Sequence, residues 1–294
     1  MAVNPYVSAA AFAAHPTYLD LDGLRRGVSD PDAQTAELTN LLLQASEWAD
    51  NEADQPLGAH LYNQRERTRA TRSGQLAIHA DHGPVRQITG VGYGWSQNAL
   101  TTVAAPGSWV EQGTNMVIPM AGASVAWSGS LQFGAPAAGG ELFAQVEYVA
   151  GHVATVLEEP ATAGDLQIMV TDPTGLEPGA RYRIWEPGVE ETVAVHPDWV
   201  APVPSASPLP TLVTLASALR YDHAAGHDLS GMPGDMRLAV VLYTVSLLIR
   251  PDSTAEDEFP DNSSSTTRKD DTRPTGMGLV KEARRILMSY ARVR

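Results

Sequence analysis

The sequence predicts an α+β chain in which helices from both ends form a core that carries an inserted small β-barrel or β-sandwich domain. Three observations point there. Apolar residues recur at helical spacing between Leu38 and Ala49 and again after Pro233. Between them, from Val85 to about Met232, run short alternating segments broken by Gly and Pro turn signals, the pattern of a barrel or sandwich. A length of 294 residues suffices for one large core or two moderate ones.

Taken in order, Ser8 to Ala14 predicts a short helix. Ser29 or Asp30 can then cap a second helix with Pro31 in its first turn. In that helix, Asp32 to about Glu52, Leu38, Leu41, Leu42, Ala45, Trp48 and Ala49 share a stripe. Gln55-Pro56-Leu57-Gly58 ends it. From Leu61 to Gly94 the chain reads as extended pieces, with turns at Ser73-Gly74 and His82-Gly83-Pro84. Residues 1–84 are assigned to the helical part and 85–232 to the β-rich insertion. Within the insertion Leu142, Ala144, Val146 and Tyr148 alternate as one buried strand face, and Leu166, Ile168 and Val170 as another. RYRIWE, ETVAV and TLVTLASALRY add further strands, with a proline-rich loop over 202–210.

Residues 233–251 form a helix apolar nearly all round, suited to a core or a subunit boundary. Leu238, Leu242 and Tyr243 on it, with Leu42 and Trp48 on the earlier helix, are the candidates for such packing. Residues 252–278 read as a polar linker. Residues 279–294 form a terminal amphipathic helix with Leu279, Ala283, Ile286, Leu287 and Tyr290 on one stripe and Lys281, Arg284, Arg285 and Arg292 off it.

The formal net charge is −14, from 20 Lys and Arg against 34 Asp and Glu. Nucleic-acid binding by the surface as a whole is excluded, since phosphate attraction needs excess cations. Charge is unevenly placed: eight basic and three acidic residues follow position 267. Taking these from the totals leaves 12 basic and 31 acidic residues before it, near −19 against near +5. With no cysteine, disulfides, thiolate catalysis and cysteine zinc sites are excluded. The N-terminal stretch lacks the basic start and apolar run of a secretory signal. The apolar run Leu238–Ile249 is shorter than the roughly 20 residues that span a bilayer.

The usual chemical constellations fail on context. GVGYGW, Gly90 to Trp95, resembles part of a dinucleotide loop but no helix follows it. His223 and His227 have zinc-ligand spacing, yet the glutamate of the metalloprotease motif is missing and the context is a turn. His79, Asp81 and His82 sit at a hairpin turn without a further ligand. Gly94-Trp95-Ser96 and Gly122-Ala123-Ser124 lack the strand–turn–helix setting of a nucleophile elbow. Glu158-Glu159 and Glu190-Glu191 are neighbours in extended chain and point to opposite faces. Trp95, Trp109 and Trp127 could form a glycan platform, a weaker alternative; Trp48 and Trp185 suit core or interface anchoring. No catalytic, cofactor or metal residue is assigned.

Two stretches carry a resemblance. Gly74, Leu76, Ile78, Pro84, Val85, Ile88 and Val91 follow the run G-x-L-x-I…PV-x-x-I-x-x-V, and Glu282, Ala283, Leu287 and Tyr290 follow EA-x-x-x-L-x-x-Y. Both resemble the head-to-tail adaptor proteins of long-tailed bacteriophages, over residues 30–91 and 233–294. The segment from Thr155 to Gly231 separately resembles a small β module of phage structural proteins, inserted where compact adaptors have none. The resemblance implies a non-enzymatic virion neck protein assembled in the host bacterial cytoplasm. It would form a dodecameric ring beneath the portal, extend the DNA channel, and meet a stopper or other tail-proximal connector. Genomic DNA would pass through without specific binding, and no membrane or cofactor is implied. Leu279, Lys281, Ala283, Arg284, Arg285, Ile286, Leu287, Tyr290, Arg292 and Arg294 would then form a portal-docking arm, and an acidic channel wall would let DNA slide. A different virion component, such as a stopper, tail or decoration protein, is the alternative.

Overall fold

The computed structural model describes residues 4–17, 19, 21, 24, 30–71, 75–103, 107–119, 141–205, 207–249 and 276–291. The chain is α+β, with four α-helices and a set of small antiparallel sheets among these residues. Helix α1 (Ala9–Ala13) is capped by the Ser8 hydroxyl, which accepts from the Ala11 amide. Helix α2 (Pro31–Ala53) starts with the Asp30 carboxylate accepting from the Asp32 amide and Pro31 in the first turn. It stops where Asp54 turns left-handed at φ 54°. Helices α3 (Gly234–Ile249) and α4 (Gly276–Leu287), the latter followed by a 3-10 turn at Met288–Tyr290, pack with α1 and α2 around one core. Phe12, Leu42, Ala45, Ala49, Val240, Ala283 and Leu287 are fully buried there.

Between α2 and α3 the chain builds two β units with separate cores. In the first, β1 (His60–Arg69), β7 (Glu141–Ala150), β3 (Val85–Ser96) and β4 (Ala99–Val103) hydrogen-bond in that spatial order. A second sheet of β2 (Gln75–His79), β6 (Asn115–Pro119) and β5 (Trp109–Glu111) closes the same core. Leu142, Ala144, Val146 and Tyr148 are all buried, the alternation their spacing requires. In the second unit β11 (Glu191–Ala194), β10 (Arg181–Trp185), β13 (Asp228–Ser230) and β8 (Ala154–Val156) form one sheet. Strands β12 (Thr211–Thr214) and β9 (Gln167–Val170) form a ribbon beside it.

Three features differ from the sequence reading. The β region begins at His60, not 85, so residues 60–84 belong with the strands. Strand β1 reads as polar because it edges its sheet and turns arginines outward, leaving no apolar alternation to detect. The single inserted domain over 85–232 is two units, and Leu166, expected to face inward, is 54% exposed just ahead of β9. Of the linker 252–278, residues 276–278 already belong to α4 and the remainder lies outside the described residues, as does the turn at Ser73-Gly74.

The three cores meet at one crossing. Gly58 and His152 form a parallel bridge, the Ala59 amide donates to the His152 carbonyl at 2.8 Å, and the His152 amide donates to Leu57 at 2.7 Å. Gly151 sits at φ +110°, and a Cβ there would lie 2.1 Å from the Gly58 carbonyl oxygen. Burial, aided by the Arg86 charge, pushes the His152 imidazole down to about 4.

Gly151→Ala should therefore cost at least about 3 kcal/mol, combining a forbidden backbone angle with a backbone clash; urea unfolding at constant m measures it. His152 yields a pH signature. Below its ordinary value the unfolded chain takes up a proton that the folded chain refuses. Stability thus falls as pH drops from about 6.5 to about 4, by up to about 3 kcal/mol. His152→Gln should flatten that part of the stability–pH curve relative to wild type.

Candidate interaction surfaces

The apolar stripe of the C-terminal helix is covered by its own chain. Ala283 and Leu287 are fully buried against the helical core, and Ile286 and Tyr290 pack half-buried beside them. The Tyr290 hydroxyl donates to both Asp235 carboxylate oxygens at 2.8 Å, and Gln55 donates to the Tyr290 carbonyl at 2.9 Å. Arg284 forks onto Glu52 with two contacts of 2.7 Å, while Arg285 pairs with Glu282 one turn back. Leu279 is half-buried and Lys281 exposed; Arg292 and Arg294 lie outside the described residues.

This corrects the expectation of a free docking arm. Periodicity specifies that a stripe must be covered, but not by which surface. A groove on the same chain is met at far higher effective concentration than one on a neighbour.

The remaining helix candidates divide. Leu42 is wholly buried. Trp48 and Tyr243 stack on each other with ring centroids 4.0 Å apart and planes 1° from parallel. Leu242 packs half-buried on the same core. Leu238 is 39% exposed, and it borders an apolar groove of about 480 Å³ shared with Val7, Ala11, Pro16, Trp185 and Val241. That groove lies where α1 and α3 meet the second β unit.

Beneath it is a buried ion pair that no local sequence pattern announces. Arg237, on an otherwise apolar helix, donates to Asp228 at 2.5 Å and to the Tyr6 carbonyl at 2.8 Å, and its guanidinium lies 4.9 Å from the Trp185 ring centre. The Asp228 carboxylate also accepts from the Ser8 amide at 3.0 and 3.1 Å. The partners come from both chain ends and from β13, so no local motif announces them.

The titratable clusters serve the fold. His223 is buried, with Nδ1 2.9 Å from Glu186 and Nε2 3.0 Å from Glu191, and His227 lies 3.4 Å from Glu186. The expectation of plain loop histidines missed this, because Glu186 and Glu191 reach His223 only through the β10–β11 turn. His79 contacts Asn115, while the Asp81 amide and the Tyr148 hydroxyl both donate to Gln64, a buried amide on β1. Among the described residues no group of three or more His, Cys, Asp or Glu is placed to hold a metal. GVGYGW lies along β3 and runs into β4 rather than a helix. Trp95 and Trp109 are exposed on the first β unit; Trp127 and Gly122-Ala123-Ser124 lie outside the described residues.

The most exposed large apolar side chains belong to the proline-rich loop of the second β unit: Val200 at 85%, Val203 at 88% and Leu209 at 76%. Leu212 and Leu166, on or beside the β12–β9 ribbon, are also exposed. Proline fixes the backbone of such a loop, so its apolar groups are presented at reduced entropic cost. No helix among the described residues is long and apolar enough to cross a membrane.

No protein-family model matches the chain, and no curated protein matches it. Among solved structures, a chain from the neck of an empty GTA particle computed with C6 symmetry aligns over 98% of this chain and 94% of that one, at 15% identity and a TM-score of 0.34. At that score the likeness carries no argument about role.

If α4 belongs to the subunit core, Leu287→Ala should destabilise the isolated protein by about 2–4 kcal/mol. Glu52→Gln, which breaks only a partly exposed pair, should cost under about 1 kcal/mol. Equal and negligible effects in thermal or urea unfolding would instead mean that α4 is detached in solution.

Proposed function

We propose that this chain is a structural protein of a phage-like particle neck. In this reading it is a ring-forming head-to-tail adaptor that sits beneath a portal, extends the DNA channel and joins the capsid vertex to a stopper or tail-proximal connector. It acts by contact rather than catalysis, and assembles in a bacterial cytoplasm before residing in the virion. The sequence resemblance over residues 30–91 and 233–294 motivates the reading. The observation that carries it is the concentration of exposed apolar side chains on a proline-rich loop, at a surface distinct from the Leu238 groove.

Contiguous apolar exposure marks surfaces that are covered in an assembly. Contact between unlike surfaces of identical chains repeats head to tail, and closes when the rotation divides a full turn. A dodecamer is the ring size that the adaptor resemblance implies. The portal-facing role passes from a free arm to the outer side of α4, where Lys281 and Arg285 are exposed and opposite in sign to the acidic body.

The test is particle mass and negative-stain imaging of the purified protein, with and without its portal. Val203→Asp with Leu209→Asp should abolish rings while leaving circular dichroism and melting unchanged, since both positions are solvent-exposed. Undiminished ring formation by this variant would remove the loop from the interface. Failure of the wild type to form rings under either condition would reject the adaptor assignment.

A further inference from the structure

The outer face of the first β unit carries a row of exposed arginines. Along β1, Arg65, Arg67 and Arg69 are all exposed and alternate with inward-turned residues. Residues two apart on a strand share a face, about 6.7 Å from one another. That is close to the separation of neighbouring phosphates along a nucleic-acid strand. Across the register they stand opposite Gln145, Phe143 and Glu141 of β7. On the far side of β7 the same face continues through Gly90, Gly92 and Gly94 of β3, opposite Glu147, Gln145 and Phe143.

Those glycines add no side chain to the β3 part of the face, although Glu147 lies over Gly90, its carboxylate 3.2 Å from where a Cβ would stand. Near them a groove of about 430 Å³ is bordered by Arg65, Glu66, Arg67, Phe143, Gln97 and Leu100. The Arg67 guanidinium lies over the Phe143 ring, 4.9 Å from its centre. Arg69 is tied to Glu141 at 3.0 Å, whereas neither Arg65 nor Arg67 has a carboxylate partner among the described residues.

We infer that this face binds the sugar–phosphate backbone of a nucleic-acid strand, with Arg65 and Arg67 on successive phosphates and the Phe143–Leu100 groove under a sugar or base. An acidic peptide would also meet the arginines, but Glu66 and Glu147 beside them would repel it, and it would have no use for the Phe143 ring. Such a ring suits a stacked base. Two arginines without a carboxylate partner among the described residues, in a chain of net charge −14, make the contact weak and salt-sensitive, so a strand held here can still move. The inference goes beyond the adaptor reading and does not require it.

The experiment is fluorescence anisotropy of the purified full chain with labelled 20-mers, one single-stranded and one duplex, over a salt series beginning near 25 mM. Wild type should bind at low salt, and preference between the probes identifies the form of strand recognised. Arg65→Ala with Arg67→Ala should weaken binding at least tenfold and reduce the slope of log K against log salt by about 1.4 to 1.8, the value for two phosphates. Phe143→Leu should weaken the single-stranded probe more than the duplex if bases stack. No binding to either probe, or an unaltered affinity and slope in the double variant, overturns the inference. So does a double variant that loses self-association or portal binding with no change toward DNA, which would make the face a protein interface. Ring formation is scored separately, so failure here and failure of the adaptor reading remain distinguishable.

Discussion

The structure depends on the place where the chain crosses itself, between residues 57–59 and 150–153. The first passage leaves the helical core for the first β unit; the second leaves that unit for the next. They run side by side in parallel, joined by two backbone hydrogen bonds, with Gly151 against the Gly58 carbonyl and no space for a side chain. Gly58 is itself pressed by the Tyr6 ring, whose hydroxyl accepts from the Gly58 amide at 2.9 Å and donates to Asp50 at 2.5 Å. Three hydrophobic cores are thus joined at this crossing through a few backbone contacts. Such a joint has little slack, since close-packed groups transmit displacement instead of absorbing it.

Polar ties around that crossing give the N-terminal segment its place. Tyr6 reaches α2 through Ser46 and Asp50, while the Tyr6 carbonyl and Ser8 amide reach α3 and β13 through the Arg237–Asp228 pair. Burial raises both the Tyr6 hydroxyl and the Asp50 carboxyl above their ordinary values, and the neighbouring Asp50 charge adds to the rise of Tyr6. A buried ion pair adds little net stability over a well-packed apolar substitute, but removing one partner alone is costly. Its role here is orientation: it holds the second β unit to the helical core at one angle.

With α4 folded into that core, its apolar stripe is covered by its own chain. The unsheathed apolar loop, the Leu238 groove and the arginine-bearing sheet face lie on different parts of the chain. The ring proposed above would need several distinct surfaces, each small, with a rigid core that sets the angles between them. The crossing and its polar ties supply that rigidity.

What the sequence determined is local. Asp30 and Pro31 announce α2, alternation in 142–148 announces β7, and Pro233 announces α3, because caps, turns and periodicity are properties of neighbouring residues. The amphipathic stripe of α4 was equally legible. Its partner was not: Leu287 meets its core, Arg284 meets Glu52, and His223 meets Glu186 and Glu191, over separations that no spacing encodes. Strand β1 was legible as extended chain from Leu61 but was grouped with the helical part, because an edge strand with an arginine-bearing outer face shows no hydrophobic alternation to tie it to a sheet core. The arginines therefore entered the sequence reading only as charge. Only the sheet register, which places them beside Phe143 and the glycines of β3, turns them into a surface. Secondary structure follows from short-range sterics and solvation, whereas a surface or a buried pair exists only once the tertiary fold has chosen which distant segments meet.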